Sequence, residues 1–310
     1  MMKNQKHITV LLDESIKSLN IKKNGIYIDG TFGYGGHSLK ILEHLGSTGK
    51  LYAFDRDPYS IDIGNKIPDP RFHIIHDRFS NIKMHLKKLD IYKKIDGILL
   101  DLGLSSMQLL NPNRGFSFRL NGPLDMRMNP LQGISAQQWI NKSDKNTISN
   151  ILKTFGEEKF SKIIASEIVK KRKIKPIVTT IELSKIIENI VPYNKFKHPS
   201  KRSFQAIRIF LNEELYEIQK FLKKILNLLN SHGRISIISF HSIEDRIIKQ
   251  FMIKNSKNPV IPQNLPITEE KINQLNIKKI KYVKRIFPSQ QEIKNNPRSR
   301  SAILRTAELI

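Results

Sequence analysis

Tyr27-Ile28-Asp29-Gly30-Thr31-Phe32-Gly33-Tyr34-Gly35-Gly36-His37 is a short apolar run that ends in an acid and then breaks into glycines. A second apolar run, 50–54, ends in Asp55-Arg56-Asp57. Together they read as strand, glycine-rich turn, helix, second strand and acid. An open α/β sheet holds a nucleoside in this way, at the carboxyl ends of its strands. Glycine lets the backbone approach the ligand closely, and a carboxylate about 20 residues on accepts hydrogen bonds from ribose hydroxyls.

Outward from this unit the rhythm repeats. Apolar runs predict strands over 25–31, 50–55, 71–76 and 95–102. Helical periodicity over 9–19, 37–45 and 79–89, and a helix opening at Asp57-Pro58, fill the gaps. Strand–helix repeats of this kind favour a right-handed parallel sheet. After Asp101 the rhythm changes. Residues 105–130 are rich in Asn, Pro, Gly and Arg with little periodicity, and a loop this long is uncommon unless it is functional. Helical patterns follow over 135–155, 157–172 and 179–190, then a basic linker at 194–202. A long amphipathic pattern over 204–229 is divided at Asn212. The α/β pattern resumes with a strand at 233–240 and a helix at 242–252, with Ser242 as N-cap and Asp245 at its third position. Residues 255–274 read as a loop, and 281–287 and 301–307 as two antiparallel edge strands. The expected domains are therefore a sheet domain of 1–120 with 213–310, and a helical insertion of 121–212 that recognises substrate.

Composition narrows the partner. The 310 residues carry 53 Lys and Arg against 28 Asp and Glu, a net charge of +25, and are 39% hydrophobic. The core is adequate, and the charge points to a polyanion, nucleic acid first. A coding bias toward Lys, Ile and Asn is the alternative source of the same excess, since it would raise the charge without selection for binding. There is no Cys, which excludes disulfides and cysteine-based metal sites. No run approaches the roughly 18 apolar residues of a membrane span. A cytoplasmic chain with no membrane contact and no metal is expected.

The glycine spacing, G-x-x-G-x-G-G, departs from the dinucleotide pattern G-x-G-x-x-G, and no P-loop lysine follows. A nucleoside without phosphates fits better, and S-adenosylmethionine suits it. Phe79, after the third strand, either covers an adenine or caps its helix core. Asp101, ending the fourth strand, either holds the cofactor's amino group or accepts an N–H from an amine substrate. The second role would localise the amine's lone pair and aim it at the sulfonium methyl. Basic residues cluster in the loop at Arg114, around Lys201, Arg202 and Arg208, at His241 and Arg246, and at Arg298 and Arg300. They suit RNA phosphates, and aromatic residues interleaved with arginines suit an extruded base. His241 is open to three readings, a phosphate contact, a general base or an ordinary strand-end histidine, and a lone histidine is more often the last. A nucleoside-dependent oxidoreductase and a non-catalytic RNA-binding factor are the alternative classes.

Several stretches together resemble the bacterial MraW/RsmH family. They are His7-Ile8-Thr9-Val10-Leu11-Leu12, 29–37, Phe54-Asp55-Arg56-Asp57-Pro58, Asp101-Leu102-Gly103-Leu104-Ser105-Ser106 and Arg114-Gly115-Phe116-Ser117-Phe118. Gly122-Pro123-Leu124-Asp125-Met126-Arg127-Met128, Ser203-Phe204-Gln205-Ala206 and Ser239-Phe240-His241-Ser242 complete the set. The resemblance implies a class I, Rossmann-like methyltransferase sheet, mostly parallel with an antiparallel edge, plus an inserted all-helical domain. It further implies S-adenosylmethionine-dependent methylation of N4 of a cytosine in the decoding region of 16S rRNA, within the small ribosomal subunit. Gly35, Gly36, His37, Asp55, Phe79, Asp101 and Gln108 fall at the family's cofactor-binding positions. A homodimer is compatible with this reading.

Overall fold

The computed structural model describes residues 8–195, 197–257 and 278–310. His7, Phe196 and positions 258–274 of the expected loop lie outside them. The chain divides into two compact units, 1–103 with 217–310, and 104–216.

In the first unit, β1 (Ile26–Asp29), β2 (Lys50–Asp55), β3 (Phe72–His76), β4 (Ile95–Asp101), β5 (Leu229–Ser239), β6 (Ile280–Ile286) and β7 (Ile303–Leu309) form one seven-stranded sheet. Its order is β3-β2-β1-β4-β5-β7-β6. The first five strands run parallel, and β7 is antiparallel to both β5 and β6. This is the Rossmann-like arrangement with an antiparallel edge that the sequence predicts. Strands buried on both faces read as unbroken apolar runs, which is why β2 and β4 were legible. On one face α1 (Leu12–Leu19) and α2 (Gly36–His44) bury Ile16, Leu19, Ile41 and Leu42 against Tyr27, Leu51, Ala53 and Leu99. The helix α3 (Pro58–Gly64) starts where Asp57 accepts the Tyr59 amide, with Pro58 at the first helical position. The helix expected over 79–89 opens as a 3₁₀ turn, Phe79–Asn81, and continues as α4 (Ile82–Lys88).

In the second unit, α5 (Ser106–Leu110), α6 (Ala136–Lys142), α7 (Lys145–Gly156), α8 (Ser161–Ile174), α9 (Thr180–Glu188) and α10 (Lys201–Leu211) close around Trp139, Ile148, Leu152, Ile164, Leu183 and Phe204. Three differences from the sequence reading have local causes. The single helix expected over 135–155 is two, because Ser143 is extended and Asp144 caps α7 by accepting the Thr147 amide at 2.9 Å. The junctions fall at 103/104 and 216/217 rather than 120/121 and 212/213. At the first, Leu104, Leu109 and Phe116 pack into the helical core. At the second, Glu214, which opens α11 (Glu214–Ile225), is tied to Arg208 by two bonds of 2.8 Å. The long amphipathic pattern does break at Asn212, which caps α10.

The helix after β5, α12 (Ser242–Ser256), is capped by His241, not Ser242, and Glu244 rather than Asp245 takes its third position. Asp245 instead pairs with Arg305 of β7 at 2.6 and 2.9 Å. Short α13 (Gln290–Asn295) and a 3₁₀ turn, Pro297–Ser301, lead into β7.

Candidate active site

The carboxyl ends of β1, β2 and β4 each carry an acid, and the turn between β1 and α2 is wired to all three. Asp29 is fully buried; its carboxylate accepts the Ser38 hydroxyl at 2.7 Å and the Thr31 amide at 3.1 Å. Thr31 in turn accepts the Asp101 amide through its hydroxyl at 2.6 Å. Asp55 accepts the Gly33 amide on one oxygen and the Asp57 amide on the other, both at 2.8 Å. Each carboxylate oxygen has two lone pairs, so Asp55 can still accept hydroxyls.

The glycines are needed for two different reasons. Gly35 has φ +77°, in the left-handed region, and a Cβ there would meet the Phe32 ring at 2.9 Å. Gly36 opens α2, and a Cβ on it would collide with the Thr9 hydroxyl. The amides at the start of α2 have no helical carbonyl partners and suit an anionic or polar ligand group.

Asp101 keeps 26% of its side-chain surface open, yet its Oδ1 is closed off and accepts no hydrogen bond among the described residues. Its Oδ2 lies 3.9 Å from Nδ1 of the buried His37. Burial first, then the charges of Asp29 and Glu244, push its pKa well above the usual carboxylate range. Burial also raises Asp55, against the lowering effect of its two amides, and takes Asp29 to about 6. Three neighbouring acids whose ionised forms burial disfavours suit a cationic ligand, which stabilises those forms. Phe79 is half-buried and meets Phe221 edge-on at 5.6 Å, and its Cβ lies beside Gly30. Gly35, Gly36, His37, Asp55, Phe79 and Asp101 are thus all in the sheet unit. Gln108 belongs to the helical unit, where its Oε1 accepts the Ser105 amide at 3.0 Å in a capping box.

Sequence reasoning passed over Thr31, Ser38 and Glu244. Thr31 was legible in principle, since a hydroxyl two residues after an acid that ends a strand is a common way to order the turn, whereas Ser38 lies nine positions on, inside α2. Glu244 was overlooked because the helix cap was assigned to Ser242. Its carboxylate accepts the Phe240 amide at 3.0 Å and approaches His241 Nε2 at 3.0 Å.

The basic candidates separate sharply. Lys201, Arg202, Arg246, Arg298 and Arg300 are exposed. Arg114 is buried, and its guanidinium donates to the carbonyls of Arg127 and Met128 at 3.1 and 2.8 Å. It holds a loop and does not present charge to RNA. Arg208 is committed to Glu214. His241 is enclosed between the Glu244 amide and carboxylate, so its ring holds a cap. Within the loop, Arg127 pairs with Asp125 at 2.9 and 2.7 Å, while Phe118 stacks on His198 at 4.4 Å beside exposed Arg119.

Residues 4–310 match the model of the MraW methylase family. The ribosomal RNA small subunit methyltransferase H of Buchnera aphidicola subsp. Schizaphis graminum is 59% identical over 305 residues, 98% of each chain. The protein of the same name from the Baizongia pistaciae subspecies is 55% identical over 310 residues, 99% of this chain and 98% of that one. A solved rRNA methylase from Streptococcus thermophilus aligns at 12% identity with a TM-score of 0.42, over 100% of this chain and 99% of that one. Among the described residues, no helix is long and apolar enough to cross a membrane. By the family match over nearly its whole length, the chain belongs to the MraW methylases, S-adenosylmethionine-dependent methyltransferases.

Proposed function

We propose that the protein methylates N4 of a cytosine in the decoding region of 16S rRNA, carried within the small ribosomal subunit. The observation that carries the cofactor half of this reading is the buried Oδ1 of Asp101, which has no donor among the described residues and stands among acids that favour a cation. The names of the relatives support the RNA half.

Asp55 receives the ribose hydroxyls, and the Gly35–His37 amides face the amino-acid end of the cofactor. Asp101 grips the cofactor's ammonium group, a role favoured by the approach of its Oδ2 to His37 at the start of α2. Bound S-adenosylmethionine supplies an electrophilic methyl on a positively charged sulfur. The protein's contribution is to align the extruded base with that methyl. As the N–C bond forms and the S–C bond breaks, the amine sheds one proton, which water can take. Phe79 covers the adenine. Lys201, Arg202, Arg246, Arg298 and Arg300 take phosphates.

Labelled S-adenosylmethionine and small ribosomal subunits test the reading directly. Label should appear in N4-methylcytidine after hydrolysis and chromatography; label in any other nucleoside, or in none, overturns it. A parallel reaction on naked 16S rRNA should be slower.

A further inference from the structure

Residues 8–11 are held against the glycine turn from the far end of the sequence. The Leu11 amide donates to Glu292 Oε1 at 2.8 Å, and Asn296 Nδ2 donates to the Ile8 carbonyl at 3.0 Å. Glu292 stands on α13 and Asn296 is that helix's C-cap, so the two bonds come from one short element. Between them Val10 and Leu11 bury against Ile238, Ala302 and Leu304. The element is itself anchored, because Asn296 and Ser299 are buried and the Ser299 hydroxyl donates to the Asn296 carbonyl at 2.8 Å.

Two features of this strap are unusual. Leu11 has φ 49° and ψ 40°, a left-handed backbone uncommon for a residue with a side chain, and it begins α1 with no side-chain cap. A conformation of this kind persists only where its surroundings hold it. Thr9 packs so closely on Gly36 that no Cβ fits between them. The strap therefore restrains the same backbone that must face the cofactor.

We propose that Glu292 and Asn296 are positioning residues for cofactor binding, acting through residues 8–11 on the Gly35–Gly36 turn. The proposal rests on the cofactor reading above. Without the Glu292 carboxylate the Leu11 amide loses its partner, the left-handed turn relaxes and Thr9 leaves Gly36. The glycine turn then has to be ordered by the ligand, and affinity falls by the cost of that ordering.

The test uses the full-length protein and three variants, Glu292→Ala, Glu292→Gln and Asn296→Ala. S-adenosylhomocysteine binding is measured by calorimetry, KM for S-adenosylmethionine and kcat on small subunits, and amide hydrogen exchange at residues 8–11 and 33–37. Glu292→Ala should raise Kd and KM about tenfold, the scale of one charge-assisted hydrogen bond, with kcat changed less than about twofold. Exchange should quicken at Leu11 and across the glycine turn. Glu292→Gln, whose amide oxygen accepts the same N–H, should return Kd to within about threefold of wild type. Asn296→Ala should reproduce the Kd effect, and serves alone if Glu292→Ala does not fold. Unchanged Kd and exchange in the alanine variants overturn the proposal. So does a Gln variant as impaired as Ala with an equally lowered melting point, which marks a general structural role. A wild-type protein that binds no S-adenosylhomocysteine overturns the cofactor reading instead. Exchange at 33–37 in the alanine variants then decides the strap separately, unchanged rates refuting it.

Discussion

The Gly33 amide donates to Asp55 Oδ2 at 2.8 Å across 22 positions of sequence, so the glycine turn and the acid ending β2 are one mechanical unit. Truncating Asp55 removes the proposed ribose acceptor and also takes away the partner of the Gly33 amide. Asp55→Ala should weaken S-adenosylhomocysteine binding by about 10- to 100-fold, the range expected for lost hydrogen bonds to a charged group. Calorimetry checks it; unaltered affinity would remove Asp55 from the site.

Cofactor affinity should rise with pH. Burial and neighbouring acids raise the pKa of Asp101, so a proton is held there more tightly than on an ordinary carboxylate and competes with a bound ammonium group. Affinity should therefore increase as pH climbs through the raised value, and Asp101→Asn should flatten that dependence. A wild-type Kd that does not change with pH anywhere above the ordinary carboxylate range would contradict the assignment.

Fold stability should run the other way. For Asp29 and Asp101 the native state binds its proton more tightly than the unfolded chain, whose carboxylates titrate near ~3.9. Their contribution is fully present below that value and is lost as pH rises through the native pKa, about 6 for Asp29. Asp101→Asn should thus match wild type in acid and exceed it at neutral pH, read from denaturant midpoints. Equal midpoints at every pH would show that the acid is not strained by its surroundings.

Arg114 and Arg298 make a discriminating pair. Arg114→Ala strips two carbonyls of a buried guanidinium and should cost about 2 kcal/mol or more in stability, leaving the salt slope of RNA binding unaltered. Arg298→Ala should leave stability within about 0.5 kcal/mol and lower the slope by about 0.7–0.9, one phosphate contact. A slope that drops for Arg114→Ala with no loss of stability would restore that residue to the RNA surface.

Arg202 and Arg208 separate in the same way. Arg208 is bound to Glu214 by two 2.8 Å bonds, whereas Arg202 is exposed with one bond of 3.2 Å to the Glu157 carbonyl. Melting temperature should fall for Arg208→Ala and the salt slope for Arg202→Ala; the reverse pattern would invalidate the division.

These contrasts show where the sequence was readable. The strands, the glycine turn and Asp55 were visible because apolar runs ending in acids are a one-dimensional pattern. Arg114 was misjudged because its partners are backbone carbonyls 13 and 14 positions away, and no residue type signals a carbonyl. Arg208 was misjudged because Glu214 lies six positions on, across a helix break, outside the i+3 and i+4 spacings that mark helical pairs. The split between α6 and α7 was legible in Ser143-Asp144, a helix-starting pair inside an apolar periodicity that the eye runs straight through. The strap over Gly36 depends on contacts between residues 281 and 288 apart, which local pattern cannot carry.

The position of β7 sets an order of assembly. It lies between β5 and β6 but follows both in sequence, and among the described residues β6 pairs with no other strand. During synthesis β6 must therefore wait, unpaired, until residues 303–309 have left the ribosome and entered the gap. The seat of Leu11 on Leu304 waits with it. The glycine turn thus gains the support of Leu304 beneath its strap only once β7 has been made, which ties competence for cofactor to a strand more than 260 positions further on.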